Sequence, residues 1–195
     1  MSLPDAWKEV CLIGIIPEGS STAVEFAGFT EDITGMDWGE KDIESMALVN
    51  GGRVVKYTPM TDEEFTLKVY DTRADDLATN SVVQLFHKQS TSDVTQPIVV
   101  TNTITRQSFG IILLWADTLP ATSQTVPAGS AVSYRVEAIN CYMTKYKPSY
   151  DDKIKSAEVT FKWAPFDQAA AGNKKESSTD GSVAIPAAIT SSISF

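Results

Sequence analysis

Residues 64–70 read EFTLKVY and residues 158–164 read EVTFKWA. Both run Glu, apolar, Thr, apolar, Lys, apolar. That is period two, the pattern of a strand with one buried and one wet face. In the first segment Phe65, Leu67 and Val69 share a face, and Glu64, Thr66, Lys68 and Tyr70 share the other. Antiparallel pairing centred on Thr66 opposite Thr160 sets Glu64 against Lys162 and Lys68 against Glu158. Opposed unlike charges and Thr–Thr pairs each contribute about 0.2–1 kcal/mol. The reverse face then gathers Phe65, Leu67, Val69, Val159, Phe161 and Trp163 into a core. Two amphipathic strands that never met would converge on the same composition, and each would still be half-buried.

Working outward, the neighbouring segments also read as strands. RVVKYT (53–58) precedes a turn at Pro59–Asp62 and then EFTLKVYD (64–71), which predicts a hairpin. EVCLIGII (9–16) and AVEFAGF (23–29) flank a turn at Pro17–Ser21. PIVVTNTITR (97–106) and FGIILLWAD (109–117) form a further pair, and the unbroken apolar run Ile111–Trp115 predicts burial on both faces. VSYRVEAINCYMTKY (132–146) is one long strand or two. A single segment changes period. Ala78, Val82, Leu85 and Phe86 fall on one helical stripe, with Asp75 and Asp76 in the first turn and His87 and Lys88 in the last, matching the helix dipole. The expected fold is mainly β: an antiparallel sandwich or partial barrel with one flanking helix at about 73–88.

Two segments fit no element. Residues 30–52 are acidic, punctuated by glycine and without a sustained period, and predict a long loop. From Asp167 the composition shifts to Ala, Ser, Thr and Gly. The chain therefore divides into a domain over 1–166 and an extension over 167–195. A polar tail frays in a monomer. A second copy of the chain is the expected holder, through Val183, Ile185, Ile189, Ile193 and Phe195.

Composition excludes several classes. The formal net charge of −9 opposes tight binding of nucleic acid, which needs Lys and Arg on phosphates. No apolar run is long enough to span a membrane. Asp5 and Glu9 flank Lys8, and the run Val10–Ile16 is short and broken by Gly14, so the N-terminus reads as mature rather than as a signal peptide. Two cysteines, Cys11 and Cys141, and one histidine, His87, do not make a zinc site by themselves. The cysteines read as buried thiols. There is no phosphate-binding glycine loop and no nucleophile elbow. The pairs Asp75/Asp76, Asp151/Asp152 and Glu63/Glu64 sit at turns or a helix start, where solvated carboxylates cost little. No enzyme activity, cofactor or metal is expected. Charge is uneven along the chain: residues 31–64 hold nine acidic residues against three basic, and residues 144–175 hold seven lysines against four acidic. One end could attract the other on a neighbouring copy, a head-to-tail contact that generates rings or filaments.

The order of elements resembles the major tail tube proteins of tailed bacterial and archaeal viruses. The likeness spans about residues 10–165: short N-terminal strands, an acidic loop with Asp37-Trp38-Gly39, the hairpin GRVVKYTPMTDEEFTLKVYD, one helix, and a closing EVTFKWAP. The resemblance implies a virion structural protein, made in the host cytoplasm, that forms stacked hexameric rings. Those rings would make a tube through which genomic DNA passes without adhering, alongside a tape-measure protein and other tail proteins. It makes Glu64, Thr66, Lys68, Glu158, Thr160 and Lys162 candidates for the bore, on an acidic, lysine-balanced wall that phosphates do not grip, with the opposite assignment, this face outward, left open. It makes Asp37, Trp38, Glu40, Asp42 and Glu44 of the loop, with Val183, Ile185, Ile189 and Phe195 of the extension, candidates for contacts between subunits. Two other readings remain. One is a different ring-forming tail, neck or injection-machine component. The other is a carbohydrate-binding or adhesion sandwich using Trp38, Trp115 and Trp163 as an exposed platform.

Overall fold

The computed structural model describes residues 11–26, 29–37, 43–57, 60–70, 107–118, 120–150, 156–164 and 172–192. Ten strands occupy them: β1 (Cys11–Pro17), β2 (Val24–Phe26), β3 (Phe29–Asp37), β4 (Ile43–Ala47), β5 (Arg53–Tyr57), β6 (Glu63–Tyr70), β7 (Phe109–Ala116), β8 (Val132–Ser149), β9 (Ser156–Trp163) and β10 (Lys174–Asp180). Hydrogen bonding runs in the order β2-β1-β7-β8-β9-β6-β3, with β10 on β8, and every pairing is antiparallel. The fold is mainly β, as the sequence predicts, and among the described residues its sheets do not close into a barrel. The proposed helix at 73–88 and the strand at 97–106 lie outside the described residues.

The two echoing segments pair in the register their sequences dictate. Thr66 lies opposite Thr160, Glu64 opposite Lys162 and Lys68 opposite Glu158. The two threonine hydroxyls are hydrogen-bonded at 2.9 Å. On the reverse face Phe65 stacks on Phe161 with centroids 5.3 Å apart, and Trp163 meets the edge of Phe65 at 5.6 Å. Trp163 pairs with Glu63 rather than with an apolar residue, and its indole N–H donates to Glu63 Oε2 at 3.0 Å. The bond satisfies an indole that is buried.

Strand β8 carries the architecture. Its first half pairs with β7 on one side and β10 on the other, and its second half pairs with β9. The change falls at Asn140, which takes φ +56, a conformation Asn tolerates better than most residues. One strand therefore belongs to both layers. Between them lies a single core to which β1, β6, β7, β8 and β9 all contribute, including Ile13, Phe65, Phe109, Val136, Val159 and Phe161. Of the run Ile111–Trp115, Ile111–Leu114 is buried on both faces, as its unbroken apolar character predicts, and Trp115 is half-buried.

Two expectations are corrected. Residues 30–52 are not one loop, because β3 and β4 lie within them. Strand β3 pairs with β6 through Phe29–Val69, Ile33–Leu67, Thr34–Thr66 and Asp37–Glu64, with two register shifts. Each shift breaks the two-residue alternation, so no period survives in the sequence. The hairpin over 53–71 is also replaced: β5 pairs with β4, not with β6. Its turn is built on Asn50-Gly51-Gly52. Gly51 takes φ +82, Leu48 N donates to Gly52 O at 2.7 Å, and Asn50 Oδ1 accepts from Gly52 N at 3.1 Å. That NGG turn is legible in the sequence.

The threonine pair can be tested directly. In urea unfolding of T66V, T160V and the double variant, each single change is expected to cost about 1 kcal/mol. The two should couple by about 0.2–1 kcal/mol. Strict additivity would remove the hydroxyl pair as a source of register.

Candidate functional site: an exposed hairpin, a charge-balanced face and a strap

The β4–β5 hairpin stands apart from the main sheet. All ten of its strand residues are exposed, although several are apolar. Ile43, Met46 and Tyr57 are each 63% exposed. The register puts Ile43, Ala47, Val55 and Tyr57 on one face, and Met46 with Val54 on the other beside the Glu44–Lys56 pair. A two-stranded ribbon has no core of its own and is at best marginally stable in water. Apolar side chains on both faces of such a ribbon mark a surface built to be covered. The sequence reading named only Glu44 from this element. The NGG before residue 53 reads as a hairpin turn, but the run before it reads as loop and the run after it as an arm of the 53–71 hairpin.

The wet face of β6, β8 and β9 brings the six bore candidates together. Glu64 is exposed, Thr66, Lys68, Glu158 and Lys162 are half-buried, and Thr160 is buried. Strand β8 adds residues the sequence reading omitted, since Tyr142, Lys145 and Lys147 pair with Lys162, Thr160 and Glu158 respectively. The face therefore holds Lys68, Lys145, Lys147 and Lys162 against Glu64 and Glu158. Asp62 at its margin lies 3.4 Å from Lys162 Nζ, and Lys145 Nζ lies 2.6 Å from Glu158 Oε1. The hydrogen bond from Lys145 holds the Glu158 carboxyl below the usual range. The local balance is not anionic, whatever the charge of the whole chain.

Residues 172–192 pack against their own subunit. Strand β10 pairs with β8 along seven residues. Beyond it an irregular strap crosses the outer face of β7 and β8. Arg135 donates to Pro186 O, Asn140 N to Ser192 O at 3.1 Å, and Gln124 Nε2 to Ile189 O at 3.2 Å. A Cβ on Gly110 would lie 3.1 Å from Ser191 O, so a larger residue there would push the strap outward by a few tenths of an ångström. Under the strap Ile16, Ile112 and Leu114 are wholly buried. So are Arg135 and Glu137, at 0% and 1% exposure, which form an ion pair. Burial pulls the Arg135 guanidinium below its ordinary range, and Glu137 opposes that shift.

The contact candidates of the extension separate accordingly. Val183 is 70% exposed, Ile189 is half-buried, and Ile185 is 4% exposed against its own chain. Ile185 is thus used up within the subunit. Asp37 ends β3 opposite Glu64, and Trp38, Glu40, Asp42 and Phe195 lie outside the described residues. Of the proposed aromatic platform, Trp163 is buried and Trp115 packs against the core beside Tyr134, which leaves neither available as an exposed ring. Among the described residues no three His, Cys, Asp or Glu side chains gather as a metal site, and no helix is long and apolar enough to cross a membrane.

No family model matches the chain, and no curated protein matches it. Solved structures do match it. The chain is similar to one in the baseplate of the anti-feeding prophage, with a TM-score of 0.54 at 9% identity, covering 90% of this chain and 97% of that one. It is similar to a chain of the sheath–tube complex of the PVC extracellular contractile injection system in its extended state, with a TM-score of 0.51 at 12% identity, covering 91% and 93%. A chain in the tube-terminating cap of the anti-feeding prophage matches with a TM-score of 0.50 at 12% identity, covering 92% and 93%. What they share is a fold. At these identities the residues that face partners are free to differ, so side-chain roles are argued from this chain alone.

Proposed function

We propose that this protein is a structural subunit of a phage-tail-like tube, with copies assembling into rings that stack head to tail. The exposed apolar hairpin carries the reading, because among the described residues its strands pair only with each other. The fold likeness to chains from tube, cap and baseplate assemblies supports it. The ring is proposed to be hexameric, with open sheet margins of adjacent copies joining around it. The hairpin is proposed to dock on a neighbouring copy, with Asp37, Trp38, Glu40, Asp42 and Glu44 as candidates for the same contact. Its partners are further copies, a tape-measure protein and other tail components, and its location is the tail.

The wet face of β6, β8 and β9 is proposed to line the bore. A wall does not need to be anionic to let a polyanion pass. It needs cations that are already neutralised, so that phosphates gain nothing by releasing their counterions. Lys145 with Glu158, and Lys162 with Asp62, meet that condition. Passage of genomic DNA is consistent with such a wall. A second reading, a cap, terminator or baseplate ring of an injection machine, has the same fold behind it and predicts rings that do not elongate.

The test replaces the apolar face of the hairpin. The variant I43S/V55T/Y57T is expected to remain folded, with stability within about 0.5 kcal/mol of the wild type, since exposed positions rarely matter more. Wild-type protein should form stacked rings or tubes by negative-stain microscopy and sedimentation, and the variant should not. Isolated wild-type rings favour the second reading. A wild-type monomer at high concentration, or tubes formed equally by the variant, would overturn the proposal.

A further inference from the structure

We propose that Asn50 is a self-modification site, deamidated through a succinimide by its own backbone, and that opening of the β4–β5 ribbon controls when this happens. The first ground is sequence and exposure. Asn50-Gly51 is the single Asn-Gly step in the chain, and every residue from 43 to 57 is exposed. Asparagine is a thermally labile residue. A glycine after it leaves the next backbone nitrogen unshielded and free to rotate. A Cβ placed on Gly51 would meet nothing within 4 Å, so the turn is open on that side. The step balances as the hydrolysis of an amide. Gly51 N gives its proton to hydroxide and attacks Asn50 Cγ. The bond from Gly51 N to Cγ forms, the bond from Cγ to Nδ2 breaks, and Nδ2 leaves as ammonia with a proton from water. Water then opens the five-membered ring at either carbonyl. One opening gives aspartate at 50, and the other gives an isoaspartyl link in which the chain runs through the side chain. One water is consumed, one ammonia is released, and nothing is oxidised.

The second ground is what the closed turn does to the two reacting atoms. Gly51 N donates to Leu48 O at 3.0 Å, so the proton that must be lost is engaged. Asn50 Oδ1 accepts from Gly52 N at 3.1 Å, which turns the side-chain amide toward Gly52. Both bonds break before Gly51 N reaches Cγ. Among the described residues β4 and β5 pair only with each other, and a ribbon of two strands opens at little cost. The reaction therefore runs from the open ribbon and stops when the ribbon is held shut. Other sites lack this freedom. Asn140 and Asn173 are buried and joined at 2.9 Å from Nδ2 to Oδ1. Asp180 before Gly181 is paired with Val132 in the sheet, and a Cβ on Gly181 would lie 2.8 Å from Ser130 O.

The consequence for assembly rests on the function proposed above, whereas the site itself does not. A neighbouring copy that covers the hairpin holds the ribbon shut and protects Asn50. A chain that reacts first carries an added negative charge at the turn. In the isoaspartyl form it also carries one extra backbone atom, at the point that sets the Ala47–Arg53 and Glu44–Lys56 pairs in register. Chains that wait too long before assembly thus lose the surface they would dock with, and chains already in place keep it.

The experiment uses the full-length chain, incubated at neutral and mildly alkaline pH and then digested. The peptide carrying Asn50 is followed by mass and by isoaspartate content. Conversion is expected at Asn50, faster at the higher pH, and not at Asn140 or Asn173, and N50Q should abolish the signal. Ala47 and Arg53 are paired next to the turn, at a separation a disulfide can bridge. Oxidised A47C/R53C is expected to convert severalfold more slowly than the same protein kept reduced. An Asn50 that stays intact in the folded chain while the urea-unfolded chain converts would overturn the site. Equal rates in the oxidised and reduced forms would overturn control by the ribbon. In assembled samples converted Asn50 should be enriched in the fraction that does not sediment. Equal content in both fractions would overturn the link to assembly and leave the site standing. Absence of any assembly would overturn the reading on which that link rests, and conversion of Asn50 in the free chain would still be observed.

Discussion

A chain ended after residue 171 is expected not to reach a stable fold. It loses β10, whose seven residues pair with β8, and the strap above Ile16, Ile112 and Leu114. Burying a side chain of this size contributes about 1.5–3 kcal/mol. Re-exposing three of them costs roughly 5 kcal/mol or more, before the newly bared edge of β8 is considered. A domain has about 5–15 kcal/mol to lose. The truncated chain should therefore appear in the insoluble fraction, or melt far below the wild type by circular dichroism. Its bared apolar face and free strand edge favour aggregation. A soluble truncated protein unfolding within about 1 kcal/mol of the full chain would make the strap dispensable.

The ion pair beneath the strap gives the second large effect. E137A leaves the Arg135 guanidinium buried with no anion, and removing one partner of a buried pair costs about 3–5 kcal/mol. R135M with E137L removes both charges and keeps much of the volume, and such replacements are often neutral or stabilising. The double variant is thus expected to be more stable than E137A, reversing the usual order in which two core changes cost more than one. Urea midpoints of wild type, E137A, R135M and the double variant measure this. A double variant less stable than E137A would mean that the pair contributes through more than its mutual charge.

The pairing of β6 with β9 was legible in the sequence because side-chain period, charge order and the central threonines all pointed to one register. The burial of β7 on both faces was legible for a similar reason: its apolar run has no alternation to hide. Strand β3 was not legible. Its pairing is imposed by β6 across two register shifts, so Phe29, Ile33 and Thr34 keep no common spacing. The hairpin was half legible. Asn50-Gly51-Gly52 announced the turn, yet the run after it was assigned to the stronger strand that followed. For the site, Thr66, Thr160 and their charged neighbours were found by alternation, whereas Lys145 and Lys147 lie past a bulge in β8 that offsets their phase. The strap left no local signal, because nothing in IPAAITSS reports the groove it fills. Its holders, Arg135 and Gly110, carry no mark in the sequence that sets them apart from any other strand cation or strand glycine.

The continuity of β8 through Asn140 has a mechanical consequence. A covalent backbone runs from one layer into the other, so load entering at β10 or β7 can leave at β9 without crossing the side-chain interface. Tension along β8 would act parallel to its neighbours and shear several rungs of hydrogen bonds at once, instead of peeling them singly. In the proposed assembly a wall built this way would stiffen along that strand and yield first at the ribbon of β4 and β5.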